Sequence, residues 1–240
     1  MRRRLGAMTV TLITGANKGL GFETARRLVA AGHTVYAAAR NPDNAQRAAT
    51  ELNALPLVVD VADDVSVRAA ADHIAREHGF LDVLVNNAGI NGGGPKTLGE
   101  CTGADVSAVL DTNVVGVIRM LNAFLPLLQH SDNGVVVNVG SGLGSFARVH
   151  DPERAESRVP NLLAYPVSKA AVSMLTVQYA RAYPGLRINV VDPGPTATDL
   201  NNRQGFQTVE QGAAPIVEAA LLGPDGPTGA FLDADGVSPW

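Results

Sequence analysis

The hydrophobic positions of this chain fall into short runs that are separated by longer segments of mixed polarity. Each run is apolar or β-branched without polar alternation, which is typical of strands buried on both faces of a parallel sheet. The runs occupy residues 9–14, 34–39, 56–60, 82–86, 135–139 and 187–191, with a weaker run at 230–232. We therefore predict a mainly parallel sheet.

The segments between these runs predict crossover helices. The segment 19–31 ends at Gly32 and the segment 64–78 ends at Gly79, where glycine readily adopts the left-handed conformation that closes a helix. The repeated order strand–helix–strand implies right-handed crossovers. The expected fold class is α/β, a single doubly wound parallel sheet with helices on both faces.

Length and composition fit one domain. The chain has 240 residues, of which 46% are hydrophobic and 18% charged, so it can form a full core. We see no internal repeat or linker, and we expect one domain over residues 9–240 after a flexible extension, residues 1–8. Met8 is an alternative start to Met1.

Net charge and the cysteine and histidine content limit the classes of partner, the cellular location and the metal sites that we expect. The formal net charge of −4 gives no reason to expect nucleic acid or a membrane surface, although three arginines near the start leave a basic arm as an alternative. No apolar run is long enough to span a bilayer. Cys101 is the single cysteine, so an intramolecular disulfide is excluded and a cytoplasmic location is expected. The five histidines show no metal-ligand spacing, and we predict no metal site.

A glycine-rich turn, TGANKGLG at residues 14–21, joins the first predicted strand to the first helix. Such a turn lets the backbone approach a pyrophosphate at a helix N-terminus. The spacing is neither the common G-x-G-x-x-G nor a P-loop, and a plain strand-to-helix turn is the alternative. The predicted phosphate-contacting residues are Gly15, Asn17, Lys18, Gly19, Leu20 and Gly21.

The end of the second predicted strand bears on the choice of cofactor. NAD-binding proteins usually place an acid there, on the ribose 2′-hydroxyl, whereas this chain has Arg40. Arg40 and Lys18 could clamp a 2′-phosphate, which favours NADP, although both could be solvated surface charges. Asp60, followed by Val61, is placed to accept from an adenine amino group, and its alternative role is to cap the next helix.

The segment YPVSK at residues 165–169 carries the candidate chemistry. Tyr165 and Lys169 are four residues apart, which places them one turn apart on one face of a helix, and Pro166 is acceptable in the first turn. A nearby ammonium favours the phenolate, so we expect Lys169 to lower the pKa of Tyr165. A serine at a neighbouring strand end, Ser141, could hold the same substrate oxygen.

Together these motifs resemble the short-chain dehydrogenase/reductase family, with its Rossmann fold, from about residue 9 to residue 240. The resemblance implies that Tyr165 is the acid–base and that Lys169 also holds the nicotinamide ribose. Ser141 would polarise the carbonyl, and Asn113 would support a water-linked proton relay behind Lys169. The matching elements, in family order, are TGANKGLG, Asp60, NNAG (86–89), Asn113, Ser141, YPVSK and PGPTAT (193–198).

The same resemblance implies further cofactor contacts. One set would pack near the adenosine ribose: Asn87, Ala88 and Gly89. The other would turn the chain against the nicotinamide and meet its carboxamide and the adjacent phosphate: Pro193, Gly194, Thr196 and Thr198.

In detail the chain is similar to the carbonyl reductase branch, which implies NADPH and reduction of a small ketone, aldehyde or quinone. Ser141 and Tyr165 are 24 positions apart, because a charged insertion lies at residues 148–160. In that branch a longer insertion favours monomers, so the choice between monomer and homo-oligomer stays open, and a solvated loop without a role is the alternative. Four residues suggest an apolar substrate pocket: Leu143, Phe146, Leu162 and Phe206.

Three rival functions remain. A noncatalytic NADP(H) sensor would keep the phosphate loop, but should lose part of the Asn113–Ser141–Tyr165–Lys169 tetrad, which is complete here. A nucleotide-sugar epimerase or dehydratase would need a larger substrate domain than 240 residues allow. A methyltransferase favours an acid after the second strand, where this chain has Arg40.

Overall fold

One eight-stranded sheet runs through the computed structural model, which describes residues 8–92, 98–159 and 162–240. The strand order is β3-β2-β1-β4-β5-β6-β7-β8. All neighbouring pairs are parallel except β7 and β8. The strands are β1 Val10–Thr14, β2 Thr34–Ala39, β3 Leu55–Val58, β4 Val83–Asn86, β5 Val135–Val139, β6 Arg187–Val191, β7 Phe231–Asp233 and β8 Gly236–Ser238.

Helices alternate with the strands and cover both faces of the sheet. A π-helical turn, Asp111–Val115, joins two of them into one run. The helices are α1 Gly19–Ala30, α2 Pro42–Leu52, α3 Asp64–Glu77, α4 Gly103–Leu110, α5 Gly116–Gln129, α6 Phe146–His150, α7 Ala164–Ala182 and α8 Val209–Ala220.

The doubly wound parallel sheet is confirmed, and most predicted strands lie within a residue or two of their observed bounds. Gly32 and Gly79 follow α1 and α3 with φ of +87° and +74°, as predicted for helix-closing glycines. Strand β8 was missed, since three residues with two exposed side chains carry no hydrophobic pattern. Most of the predicted N-terminal extension, residues 1–7, lies outside the described residues, so its flexibility stays a prediction.

Two hydrophobic clusters, one on each face, hold the helices to the sheet. The larger one buries Phe124 and Leu121 of α5 with Leu84 of β4. The smaller one packs Leu28 of α1 and Ile216 of α8 over strand residues such as Ile13. The strand side chains are buried on both faces, which explains why the strands read as continuous apolar runs.

Several helices begin at a side-chain cap. The side chains of Asn41 and Asp63 accept from the backbone N–H groups of Asn44 and Val65. Thr102 and Thr208 form capping boxes at α4 and α8. Such caps satisfy N–H groups that have no partner within the helix.

The helical run Gly103–Gln129 has the length and the apolar composition of a membrane-crossing helix. Of its most apolar window, 44% is buried inside the fold. A core helix meets the same criteria, so this run is weak evidence for a membrane span. No other such helix occurs in the described ranges.

Phe124 provides a test of the larger cluster, since its side chain is 0% exposed. Phe124→Ala should lower the free energy of unfolding by about 3–5 kcal/mol, because it removes buried apolar area and leaves a cavity. Urea denaturation followed by circular dichroism measures this change. The matched control is Phe206→Ala, whose ring is 78% exposed and which should change stability by less than about 0.5 kcal/mol. Equal losses in both variants would contradict this packing.

Candidate active site

The candidate site forms where four neighbouring strands end at the same edge of the sheet. The registers pair Ile13 with Val85, Asn86 with Asn138, and Val139 with Val191. The segments that follow β1, β4, β5 and β6 therefore emerge side by side. This edge is where ligands bind in open α/β sheets.

The glycine-rich turn is tied to the segment after β4. The Asn87 side chain donates to the backbone carbonyls of Thr14 and Gly15, at 2.8 and 3.1 Å. In return the Thr14 hydroxyl accepts from the backbone N–H groups of Asn87 and Ala88, both at 3.0 Å. Asn87 and Ala88, predicted as cofactor contacts, thus also brace the turn. Nothing in their sequence pattern indicates this second role.

The turn has the backbone that close approach of a phosphate requires. Gly15 and Gly19 have φ of +64° and +57°, a conformation that favours glycine. A Cβ added to Gly21 would lie 2.6 Å from the Gly15 carbonyl oxygen, so no side chain fits there. The N-cap of α1, Lys18, forms no side-chain cap, and the first turn holds no acid, so the helix presents N–H groups to a ligand.

The two cations predicted to favour NADP differ in their surroundings. Lys18 is exposed and forms a 3.0 Å ion pair with Asp199, on the segment after β6. The cation beside Asp199 lowers the pKa of that carboxyl. Arg40 is exposed and, among the residues described, makes no ion pair. A phosphate would therefore find Arg40 free and would compete with Asp199 for Lys18.

Asp60 and Val61 lie after β3. The Asp60 carboxylate accepts from the backbone N–H of Ala62 at 3.0 Å, and the Asp60 N–H donates to the Ser66 hydroxyl. The helix cap proposed as its alternative role is wrong, because Asp63 caps α3. The side chain of Val61 packs against Gly116, which leaves no room for a side chain at that glycine.

Tyr165, Lys169 and Ser141 meet as predicted. Tyr165 and Lys169 lie in the first two turns of α7, and Ser141 follows β5 and hydrogen-bonds the Tyr165 hydroxyl. The Lys169 ammonium lies 5.4 Å from the centroid of the Tyr165 ring and donates to the Val139 carbonyl oxygen at 2.7 Å. The ammonium therefore faces the ring and the end of β5.

The expected lowering of the Tyr165 pKa is not found. Burial raises the pKa of Tyr165 to about 12; the hydrogen bond from Ser141 acts in the opposite direction, and the charge of Asp192 adds to the rise. Burial lowers the pKa of Lys169 to about 8, against the charge of Asp192. Desolvation is the largest influence on both groups, because burial disfavours the charged form of each. At neutral pH Tyr165 keeps its proton and Lys169 is mostly a cation.

Asn113 lies in the π-helical turn, and both its side-chain oxygen and its side-chain nitrogen form hydrogen bonds. Its side chain accepts from the Ile90 N–H at 2.9 Å and donates to the Ile90 carbonyl at 2.9 Å and to the Ser168 hydroxyl at 3.0 Å. It thereby holds the segment after β4 against α7. Gly89 lies beside it, because a Cβ added to that glycine would be 3.3 Å from the side-chain oxygen of Asn113. Asn113 is in place behind Lys169, and a relay through it stays a prediction.

The segment after β6 closes the site opposite the glycine-rich turn. Gly194, after Pro193, has φ of +71°, and Thr196 is buried against its carbonyl. Thr198 reaches α1, since a Cβ on Gly19 would lie 3.7 Å from its methyl group. Gln207 packs against Gly194, and its buried side-chain oxygen has no partner among the described residues. A hydrogen-bond donor such as a carboxamide fits this position.

Several residues of the site escaped the sequence prediction. Asp192 lies directly before the Pro193–Gly194 turn, and Arg148 is buried against it at 2.6 Å. The view of the insertion as a purely solvated loop is therefore wrong at Arg148. Asn138 bridges Asn86 and Thr176 inside the fold. A polar residue within an apolar strand run was the available signal for Asn138.

The predicted apolar pocket is partly open. Phe146 and Phe206 are 73% and 78% exposed, whereas Leu143 and Leu162 are half-buried. Both exposed phenyl rings belong to segments that follow strands ending at this sheet edge. Within the described ranges, no group of three metal-ligating side chains comes together.

Comparison with known proteins adds to this geometry. A family model described as short chain dehydrogenase matches residues 9–208. The short-chain dehydrogenase anuI of Penicillium roqueforti (strain FM164) is 39% identical over 228 residues, which cover 89% of each chain. The (−)-isopiperitenone reductase of Mentha piperita is 32% identical over 300 residues, covering 93% of this chain and 96% of that protein.

A solved structure of a carbonyl reductase has the same fold over nearly the whole chain. The NADPH-bound carbonyl reductase from chicken fatty liver superposes with a TM-score of 0.85 and 27% identity, covering 97% of this chain and 99% of that one. The match includes the sheet and the segments that follow its strands, because nearly the whole of both chains is covered.

Gly21 tests the phosphate turn. Gly21→Ala should lower the free energy of unfolding by about 1–3 kcal/mol, because the added methyl group meets the Gly15 carbonyl. It should also weaken dinucleotide binding, measured by fluorescence titration. The control is Gly223→Ala, where nothing lies within 4 Å of an added Cβ. Unchanged stability and binding in Gly21→Ala would show that the turn has more room than described.

Proposed function

The chain belongs to the short-chain dehydrogenase family, and from that premise we propose that it is an NADPH-dependent carbonyl reductase. The proposed substrates are small ketones, aldehydes or quinones, which are reduced to alcohols. One observation carries the proposal: a serine hydroxyl, a phenol and a buried ammonium meet at the sheet edge where the dinucleotide of this fold binds.

In the proposed reaction Tyr165 protonates the substrate oxygen. When bound, the nicotinamide supplies hydride to the carbonyl carbon. The oxygen then develops negative charge and becomes a stronger base than a phenolate, so proton transfer from Tyr165 is favourable even with a pKa of about 12. A phenol that keeps its proton at neutral pH suits reduction better than the reverse reaction.

Ser141 and Lys169 prepare this transfer. The Ser141 hydroxyl, which already reaches the Tyr165 oxygen, is positioned to hold the substrate oxygen at the same point and stabilise its developing charge. The Lys169 ammonium, anchored on the Val139 carbonyl, places a positive charge beside the phenol when the phenolate forms. Asn113 and Gly89 complete the wall behind Lys169.

The charges around the predicted ribose pocket support NADPH. Arg40 follows β2 where an acid would select NAD, and its guanidinium is free to bind a phosphate. The chicken carbonyl reductase, with which this chain superposes, is described as NADPH-bound. Asp60 and Val61 would meet the adenine, and Gln207 would accept from the nicotinamide carboxamide near Gly194.

Substrates are expected to be apolar around the carbonyl. Phe146 and Phe206 have exposed rings on the segments after β5 and β6, and binding an apolar substrate there would cover them. We propose no nucleic-acid or membrane partner.

Tyr165→Phe tests the chemistry. The variant keeps the ring and removes the proton donor, so turnover in a panel of carbonyl compounds should fall by a factor of about 10² or more. NADPH absorbance measures the loss. NADPH binding should be retained, which separates an enzyme from a noncatalytic sensor. Tyr179→Phe, on the same helix, is the control. Full activity in Tyr165→Phe would refute the mechanism, and a wild type without turnover on any carbonyl would favour the sensor.

Arg40→Ala tests the cofactor. Loss of one charge-assisted hydrogen bond should raise the Kd for NADPH about 10- to 100-fold and leave that for NADH nearly unchanged. Fluorescence titration with both nucleotides measures this selectivity. Arg47→Ala, an exposed arginine on α2, is the control. Equal weakening for both nucleotides would argue against a 2′-phosphate at Arg40.

A further inference from the structure

We propose that Arg148 is a positioning residue for the active site. Through Asp192 it fixes the two segments that flank Tyr165, the one after β5 and the one after β6. The insertion at residues 148–159 would then be part of the support of the site. The kinetic part of this inference rests on the proposed function.

Arg148 is buried despite its charge. Its side chain is 4% exposed, and its guanidinium contacts three carboxylates: Asp192 at 2.6 Å, Glu156 at 3.4 Å and Asp233. It also donates to the Ser238 hydroxyl and lies 5.2 Å from the centroid of the Phe231 ring. A guanidinium is rarely buried without such partners, and its planar fork can hold several acceptors at once.

Asp192 connects this guanidinium to the site. One carboxylate oxygen accepts from the Gly194 N–H at 3.0 Å, and the carboxylate also accepts from the Gly142 N–H. Gly142 follows Ser141, and Gly194 forms the turn predicted to meet the nicotinamide. The carboxylate therefore joins the segment of Ser141 to that turn, and Arg148 holds it from behind.

Neither Gly142 nor Gly194 could carry a larger side chain. A Cβ on Gly142 would lie 3.0 Å from an Asp192 carboxylate oxygen and would also meet Glu156. A Cβ on Gly194 would lie 2.5 Å from the Gln207 side-chain oxygen, and Gly194 has φ of +71°. The close approach of the Asp192 carboxylate to Gly142 means that it can move little without moving the segment of Ser141.

The same arginine reaches the last strands. Asp233 is in β7 and Ser238 in β8. Beside them, the Ser145 hydroxyl donates to the Pro239 carbonyl at 3.1 Å, and the Ala147 N–H donates to the Trp240 carbonyl at 3.0 Å. The start of α6, Arg148 and the last two strands are thus packed together around the guanidinium.

The net charge of this cluster of side chains affects the protonation of Tyr165 and Lys169. One cation faces three carboxylates, so the cluster carries a surplus of negative charge. The groups that face Asp192 are Arg148, Glu156, Tyr165 and Lys169. The charge of Asp192 raises the pKa of both Tyr165 and Lys169, so the cluster favours their protonated forms.

The test uses the scarcity of lysine in this chain. Only Lys18, Lys96 and Lys169 occur, so NMR of a protein labelled in its lysine side chains gives three titrating signals, and Lys169→Arg assigns one. Asp192→Asn should lower the pKa of Lys169, and Arg148→Met should raise it, because the remaining carboxylates lose their cation. Arg148→Lys should stay near the wild type. Arg154→Met, an exposed arginine of the same insertion, is the matched control and should change nothing.

Kinetics give a second, independent readout. The alkaline limb of the pH profile of kcat/KM should move to lower pH in Asp192→Asn and to higher pH in Arg148→Met. Arg148→Met should also lower kcat/KM at neutral pH about tenfold or more and lower the Tm by about 6 °C or more, since it leaves buried charge uncompensated. Arg148→Lys, which restores the charge but not the planar fork, should recover only part of kcat.

The outcomes separate the two proposals. Opposite displacements of the Lys169 pKa in Asp192→Asn and Arg148→Met support the inference, and they require no turnover. A Lys169 signal that titrates with the same pKa in both variants as in the wild type would overturn the inference, even if both variants are less stable. If Arg148→Met does not fold, Arg148→Lys and Asp192→Asn decide the question. A wild type that reduces no carbonyl compound would refute the proposed function and leave the NMR result standing.

Discussion

The register of the parallel strands is the constraint on which the site depends. Because β1, β4, β5 and β6 end at one level, the glycine-rich turn, Asn87, Ser141 and Asp192 lie next to one another although they are far apart in sequence. A slip of one residue would turn every strand side chain to the opposite face. Burial on both faces makes such a slip costly, so the packing that stabilises the sheet also aligns the chemistry.

Local patterns were sufficient for the parts of the fold that local forces determine. Apolar runs located seven strands, and the glycines after α1 and α3 marked helix ends because few other residues adopt positive φ. The spacing of Tyr165 and Lys169 was also decisive, because helix geometry converts a separation of four into a shared face. The family resemblance extended this to Ser141 and Asn113, which have no local pattern of their own.

Long-range partners could not be obtained in this way. The pairing of Lys18 with Asp199 spans 181 residues, and the carboxylate partners of Arg148 lie on a short 3-10 turn, directly after β6 and on β7. A charged insertion looks the same in sequence whether its arginines face water or a carboxylate. The pKa of Tyr165 was mispredicted for a related reason: the sequence shows the neighbouring ammonium but not how completely the phenol is removed from water.

The exposed pair of Lys18 and Asp199 joins the glycine-rich turn to the segment after β6. A phosphate bound by Lys18 would compete with Asp199, whose carboxylate also pairs with Arg203 at 3.4 Å and would therefore keep a counter-ion. Because exposed pairs of this kind are screened by salt, the link between these two segments weakens as the ionic strength rises.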